Sequence, residues 1–420
     1  MFPLSSLFKA FVRVGALKVI DADGKTYRFE GEPGPSVTLR FHDPSLKYSL
    51  FFKPELTAGE AYMDARLTIE DGGLYDLLHL YSVNCDYLEA YPVQRLIRAV
   101  SHRLRRFQQN NKIGRAQKNV AHHYDLGNEF YKLFLDRDMQ YSCAFFESPD
   151  DTLEAAQRNK QRLIASKMNL KAGDKVLDIG CGWGGMALYL ATLEDIEVRG
   201  VTLSTEQWEL ANQRALEMGL SDRVRFELRD YRDVDEKFDS IVSVGMFEHV
   251  GVRHYAEFFD QVKSLLHEDG VALLHSIGHI GPPSFANAWL RKYIFPGGYS
   301  PALSEVFEVV ERSGLWVNDV EILRLHYAET LREWNKRFQA NREAIEAMYD
   351  AKFCRMWEFY LYGTEMMFRS GEQMVFHMQL AHKRDAVPIT RDYMGDAQDR
   401  FRAWEEESGQ PVRDIAASGD

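Results

Sequence analysis

An α/β fold of parallel βαβ units, preceded by a smaller α+β domain, is predicted by three observations. Residues 176–185 read VLDIGCGWGG, an apolar run that ends in Asp178 and breaks into clustered glycines. From Asp174 onward, short β-type runs alternate with helical stretches, which implies a parallel sheet with ligands outside the carboxyl ends of its strands. Before residue 92 the order differs, with brief β-type runs first and helical sequence after them.

Taken from the start of the chain, Leu4, Leu7, Phe8, Phe11 and Val12 fall at helical spacing beside Lys9, Arg13 and Lys18. This describes either a short membrane-surface helix or a helix packed on its own domain. From Leu17 to Phe52, β-type runs are broken at Asp23-Gly24, at Gly31 to Pro35 and at Asp43-Pro44, and helical sequence then continues to about Leu88. Residues 1–92 therefore form the small α+β domain, without recognisable catalytic residues.

Residues 93–118 carry Arg95, Arg98, Arg103, Arg105, Arg106, Lys112, Arg115 and Lys118 and no acidic residue, while Ile97, Val100, Leu104 and Phe107 line one helical face. A basic amphipathic segment in an acidic protein suggests attraction to an anionic membrane surface; a solvated linker helix is the plainer alternative. A basic linker over 93–122 thus leads into the second domain, 123–385. There, strands are expected at 176–179, 198–203, 224–228, 240–244 and 271–275, with helices from Gly184 and from Ser204 through Met218. Residues 328–378, rich in Phe, Tyr, Trp and Met, read as long helices, and 386–420 as a weakly ordered charged tail.

Composition narrows the function. The 420 residues can bury a large core, and no apolar stretch reaches the ~20 residues that a membrane-spanning helix needs. Lys9 and Arg13 interrupt the N-terminal apolar run and no small-residue cleavage site follows, so a cytoplasmic protein is expected. The net charge of −12 argues against general nucleic-acid affinity. Cys85, Cys143, Cys181 and Cys354 are far apart, which suggests neither a disulfide framework nor a metal site.

Gly180, Gly182 and Gly185 fit the G-x-G-x-x-G spacing that lets backbone approach a cofactor closely. Asp178 favours a cationic ligand, the ammonium and sulfonium of S-adenosylmethionine, over the phosphates of a dinucleotide. A nicotinamide site usually places an acid about 20 residues beyond the glycines. Here the next strand ends in Thr202, Leu203 and Ser204 instead. Three further polar groups fall at successive strand ends: Asp230-Tyr231, Glu248-His249 and His275-Ser276-Ile277, a convergence that favours a site over isolated surface residues.

Several motifs occur in order: YDLGNEFYKLFLDRDMQYSCAFF (124–146), VLDIGCGWGG, VTLSTEQ (201–207), MFEHVG (246–251), HSIG (275–278) and FPGGYSP (295–301). Over roughly residues 110–385 the chain resembles the cyclopropane-fatty-acid synthases and their cyclopropane mycolic acid synthase relatives, and its first domain resembles the lipid-handling domain of the phospholipid-acting branch. The resemblance implies a seven-stranded Rossmann-like class I methyltransferase fold, S-adenosylmethionine as donor and the cis double bond of a phospholipid acyl chain as acceptor. The enzyme it implies is a homodimer held peripherally at the inner face of the membrane.

In this family the methyl joins the alkene, a carbocation forms, and a bound bicarbonate takes a proton so that the ring closes. The resemblance places the bicarbonate cage on Cys143, Glu248, His275, Ile277 and Tyr327, the last from LHYAETL (325–331). An anion needs donors such as an imidazole, a phenol or a backbone N–H, and Glu248 can accept the proton left on bicarbonate. Cofactor contacts carried over in the same way are Tyr141, Ser142, Asp178, Gly180, Gly182, Gly184, Thr202, Leu203, Gln207, Asp230 and Tyr231. Asp230-Tyr231 replaces a Trp-Glu or similar pair of the mycolic acid relatives, and Thr364 stands where many relatives have a cysteine, so no covalent thiol step is expected there. Other outcomes on the same fold are a methyl-branched, methylene or hydroxylated product, or a noncatalytic lipid-binding protein; a nicotinamide oxidoreductase is the most distant reading.

Overall fold

The computed structural model describes residues 1–97, 126–193, 195–284 and 286–408. They form two compact units, one drawn from Met1–Gln108, Ser284–Pro296 and Leu331–Glu372, the other from Gln109–Pro283, Gly297–Thr330 and Gln373–Asp420. The units interleave along the chain, whereas the sequence suggests consecutive blocks. Most of the basic segment 93–118, including Arg103, Arg105 and Arg106, lies outside the described residues, as do residues 409–420.

In the first unit, the helix Leu4–Phe11 buries Leu4, Leu7 and Phe11 in a core with Leu17, Val19 and Phe41. Its apolar face is thus spent on its own domain and is not a free membrane-surface face. Strands β1 (Val14–Ile20), β2 (Thr26–Glu30), β3 (Glu32–Phe41) and β4 (Leu67–Asp71) form a sheet in the order β2-β1-β3-β4. The expected break at Gly31 to Pro35 is instead the start of β3, whose prolines fall where the register with β1 shifts between Val14 and Ala16, a place where a missing N–H is tolerated. β4 interrupts the stretch read as helical, between the helices Pro54–Met63 and Leu74–Ala90.

The second unit is the Rossmann-like part. Strands β5 (Lys175–Ile179), β6 (Glu197–Thr202), β7 (Val224–Leu228), β8 (Phe238–Val244), β9 (Leu266–His279), β10 (Trp316–Ile322) and β11 (Gln373–Ala381) form a seven-stranded sheet in the order β10-β11-β9-β8-β5-β6-β7. The five strands from β9 to β7 are parallel; at one edge β11 runs antiparallel to them, and β10, antiparallel to β11, returns to their direction. The chain order reverses at β5, and such switch points open a crevice beyond the strand ends.

Two expectations fail here. The region 328–378 is helical only as His326–Ala340, Arg342–Met348 and Ala351–Arg369; residues from Gln373 enter β11, whose nearly continuous burial erases the alternation by which a strand is recognised. The tail is helical over Asp392–Ser408, with Phe401 in the core beside Ala187 and Leu190, while Glu405 receives Tyr189 Oη at 2.6 Å and Arg162 at 2.7 Å. Cys85, Cys143, Cys181 and Cys354 are free thiols. Among the described residues no helix is long and apolar enough to cross a membrane.

Candidate active site

β5 delivers the glycine turn to the crevice. Gly180 and Cys181 N–H both donate to the Val201 carbonyl, at 2.9 and 3.0 Å, which binds the turn to the end of β6. Gly182 and Gly184 have φ of 55° and 83°, a region L side chains seldom enter. Their surroundings differ. A Cβ on Gly182 would meet nothing within 4 Å, whereas one on Gly184 would lie 2.6 Å from the Phe226 ring and 3.1 Å from Ala211. Gly182 faces the cavity, and Gly184 packs the helix Gly185–Leu193 against its neighbours.

One cavity gathers Tyr141, Ser142, Asp178, Gly180, Gly182, Thr202, Leu203, Gln207, Asp230 and Tyr231; of the expected cofactor contacts only Gly184 is not on its wall. Thr202 Oγ1 donates to Gln207 Oε1 at 2.9 Å, and Ser204 caps the helix Thr205–Glu217 by accepting the Gln207 N–H. Asp230 is already engaged: Arg232 donates to its two oxygens at 2.9 and 2.6 Å. The Arg232 guanidinium also lies 5.5 Å from the centre of the Tyr231 ring.

Asp178 is 1% exposed and its Oδ2 accepts no hydrogen bond. Burial pushes its carboxyl up to about 7, although Lys160 pulls the other way. A buried acceptor without a partner on a cavity wall is a place prepared for a donor or a cation. That chemistry fits the ammonium or sulfonium of S-adenosylmethionine and disfavours a phosphate.

Behind this wall lies the helix Leu153–Lys167, polar in sequence and yet largely buried. Lys160 Nζ donates to Gln140 Oε1 at 2.5 Å and to Ser142 Oγ at 2.9 Å, and Gln157 Nε2 donates to the Gln140 and Ser142 carbonyls. These bonds fix the strip Gln140–Ser142 that lines the cavity. Asp138 is held in turn by Gln161 and Arg214.

The five residues expected to cage an anion fall in two groups. Cys143 and Tyr327 are both buried, and their segments are stitched together: Ala144 N–H donates to Thr330 Oγ1 at 3.0 Å and Phe146 N–H to His326 Nδ1 at 3.1 Å. Burial pushes the Cys143 thiol up, so it stays neutral, and its Sγ donates to the Ala144 carbonyl. Glu248, His275 and Ile277 form the second group. Glu248, in the short turn Phe247–His249 after β8, reaches across to β9, where its Oε1 accepts the Ile277 N–H at 2.6 Å. The Ile277 N–H is therefore bound to Glu248 in this structure. Glu248 Oε2 accepts no hydrogen bond, and burial raises this carboxyl to about 7. The Lys160 charge acts on Cys143, on Asp178 and on His275, so both groups and the cavity share one electrostatic neighbourhood.

Sequence reasoning missed Gln140, Gln157, Lys160, Lys167 and His377. The signal was present in LEAAQRNKQRLIASK (153–167): a helix of this polarity has no apolar stripe sufficient for a core, and buried in an α/β domain it must satisfy its polar groups against neighbours.

A profile described as mycolic acid cyclopropane synthetase matches residues 111–378. A probable fatty acid methyltransferase of Pseudomonas putida is 36% identical over 379 residues, which span 87% of this chain and 93% of that protein. The cyclopropane-fatty-acyl-phospholipid synthase of Escherichia coli (strain K12) is 42% identical over 258 residues, 60% of this chain and 66% of that protein. In three dimensions the mycolic acid cyclopropane synthase CmaA1, solved in complex with SAH and CTAB, matches with a TM-score of 0.60 at 35% identity, covering 63% of this chain and 97% of that one.

Proposed function

Because this chain belongs to the mycolic acid cyclopropane synthetase family, we propose that it transfers a methylene group from S-adenosylmethionine to the cis double bond of unsaturated phospholipid acyl chains and closes a cyclopropane ring. The observation that carries the reading is the cavity itself: a glycine turn, a buried carboxylate on Asp178 whose Oδ2 accepts no hydrogen bond, and the Gln140–Ser142 strip held by Lys160 converge at the sheet's switch point. The donor supplies an electrophilic methyl. The alkene π pair forms the new C–C bond as the S–CH3 bond breaks, and the cation left on the chain loses one proton from that methyl as the second C–C bond closes. An alkene is a poor nucleophile, so alignment against the methyl supplies much of the rate.

The proton needs an acceptor. A bicarbonate held near Glu248 and His275 would supply a base there. The residue types fit such an anion: the His275 imidazole can donate, and the free Oε2 of Glu248 can accept a proton relayed from the reacting carbon. Cys143 and Tyr327 would complete the enclosure. The same reading has a homodimer acting at the inner face of the membrane, with the cation-rich stretch 93–118 attracting anionic headgroups. Mass spectrometry of phospholipids after incubation with S-adenosylmethionine tests it: a gain of one CH2 with loss of the alkene is expected, and unchanged lipid would refute it.

A further inference from the structure

Behind His275 on β9, a buried line of groups that the proposed chemistry does not use runs through His377 on β11 to Lys167 at the end of the helix Leu153–Lys167. His275 and His377 are directly paired across the two antiparallel strands. His275 Nδ1 lies 2.7 Å from His377 Nε2, and His377 Nδ1 lies 2.7 Å from Lys167 Nζ, which in turn forms an ion pair with Glu321. His275, His377 and Lys167 are each at most 2% exposed.

We propose that Lys167 and His377 are positioning residues that fix the tautomer of His275, placing its proton on Nε2 as a donor for the site. The polarity of the line follows from its end. Paired with Glu321, Lys167 is an ammonium and has only protons to offer, so His377 Nδ1 must accept. A neutral His377 then carries its proton on Nε2 and donates to His275 Nδ1. A neutral His275 is left with its proton on Nε2. Both imidazoles are neutral, because burial and the nearby lysines hold them well below the usual histidine range. With the opposite tautomer, His275 Nε2 would present a lone pair to an anion and repel it.

The part of this inference that concerns turnover rests on the proposed role of His275; the tautomer itself does not. Long-range 15N–1H correlation spectra of the full-length protein labelled at histidine nitrogens read the tautomer without any substrate, and a neutral His275 protonated at Nε2 is expected. In His377→Leu that preference should be lost and turnover should fall roughly a hundredfold, the scale on which a misplaced contact of about 1 Å acts. S-adenosylmethionine affinity should be unchanged. His377→Gln, whose amide can both accept from Lys167 and donate to His275, should restore both signals. A wild-type ring protonated at Nδ1, or a His377→Leu protein with unchanged tautomer and turnover, overturns the inference. An inert wild-type enzyme with the expected tautomer would instead refute the lipid reading alone.

Discussion

Glu248 and Ile277 are joined through a single carboxylate oxygen: Oε1 takes the Ile277 N–H at 2.6 Å, and the buried Oε2 accepts nothing. This separates an anchoring function from a chemical one within one side chain. Glu248→Gln keeps an acceptor for Ile277 and removes the proton acceptor, so it should fold, bind S-adenosylmethionine normally and turn over slowly. A loss of about 100-fold in kcat corresponds to roughly 2.7 kcal/mol of transition-state stabilisation. Full-rate turnover by a folded Glu248→Gln enzyme would remove this carboxylate from the chemistry.

Stability should run opposite to the usual carboxylate pattern. Burial raises both Asp178 and Glu248 to about 7, from ordinary values of 3.8 and 4.5. The folded state therefore binds protons that the unfolded state has released. The stability these groups contribute is present below about pH 4 and is lost as pH rises through about 7, on the order of a few kcal/mol for each group. Ligand-free Asp178→Asn should melt higher than wild type at pH 8 and similarly at acid pH; differential scanning calorimetry checks this.

Donor affinity should carry the same signature with the opposite sign. A cationic ligand favours the ionised Asp178, so S-adenosylmethionine binding should tighten with pH up to about 7 and then level off. Isothermal titration at several pH values should show proton release on the acid side, and Asp178→Asn should weaken binding and flatten the profile. A pH-independent affinity in wild type would contradict the role given to Asp178.

At the glycine turn, two substitutions should behave differently. Gly182→Val enters open space inside the cavity and should leave a folded protein that no longer binds S-adenosylmethionine. Its cost to folding is the strain of a branched residue at positive φ, about 1–2 kcal/mol. Gly184→Val instead drives into Phe226 and Ala211 and should destabilise the domain itself. Undiminished affinity in folded Gly182→Val would move the donor elsewhere.

For the basic segment, neutralising Arg103, Arg105 and Arg106 should reduce sedimentation with anionic vesicles. Added salt should do the same to wild type, because exposed charges are screened beyond about 10 Å at ~0.1 M ionic strength. Equal sedimentation of variant and wild type would leave the segment a linker.

The parallel sheet and its glycine turn were legible because apolar strand cores and positive-φ glycines are local facts of sequence. The strand-end positions of Asp178 and Thr202 followed from strand order, Gln207 came from the resemblance, and the structure adds that Ser204 caps the helix that carries it. β11 was not legible, since a strand buried on both faces has no period to read and its aromatic and Met content matches a helix. Lys160, Lys167 and His377 escaped for another reason: their meaning lies in partners such as Ser142, Glu321 and His275, up to 154 positions away in sequence. The resemblance supplied Cys143, Glu248, His275, Ile277 and Tyr327 as a set; the structure adds that the Ile277 N–H is held by Glu248.

The central claim is ring closure by loss of a proton from the transferred methyl, and incubation of unsaturated phospholipid vesicles with S-adenosylmethionine trideuterated at that methyl tests it most directly. One deuteron must leave if the ring closes. Mass spectrometry should therefore show acyl chains that have gained CD2 and lost their double bond. Products that retain all three deuterons, or that keep an alkene, would contradict ring closure and assign a branched or otherwise quenched product to this enzyme.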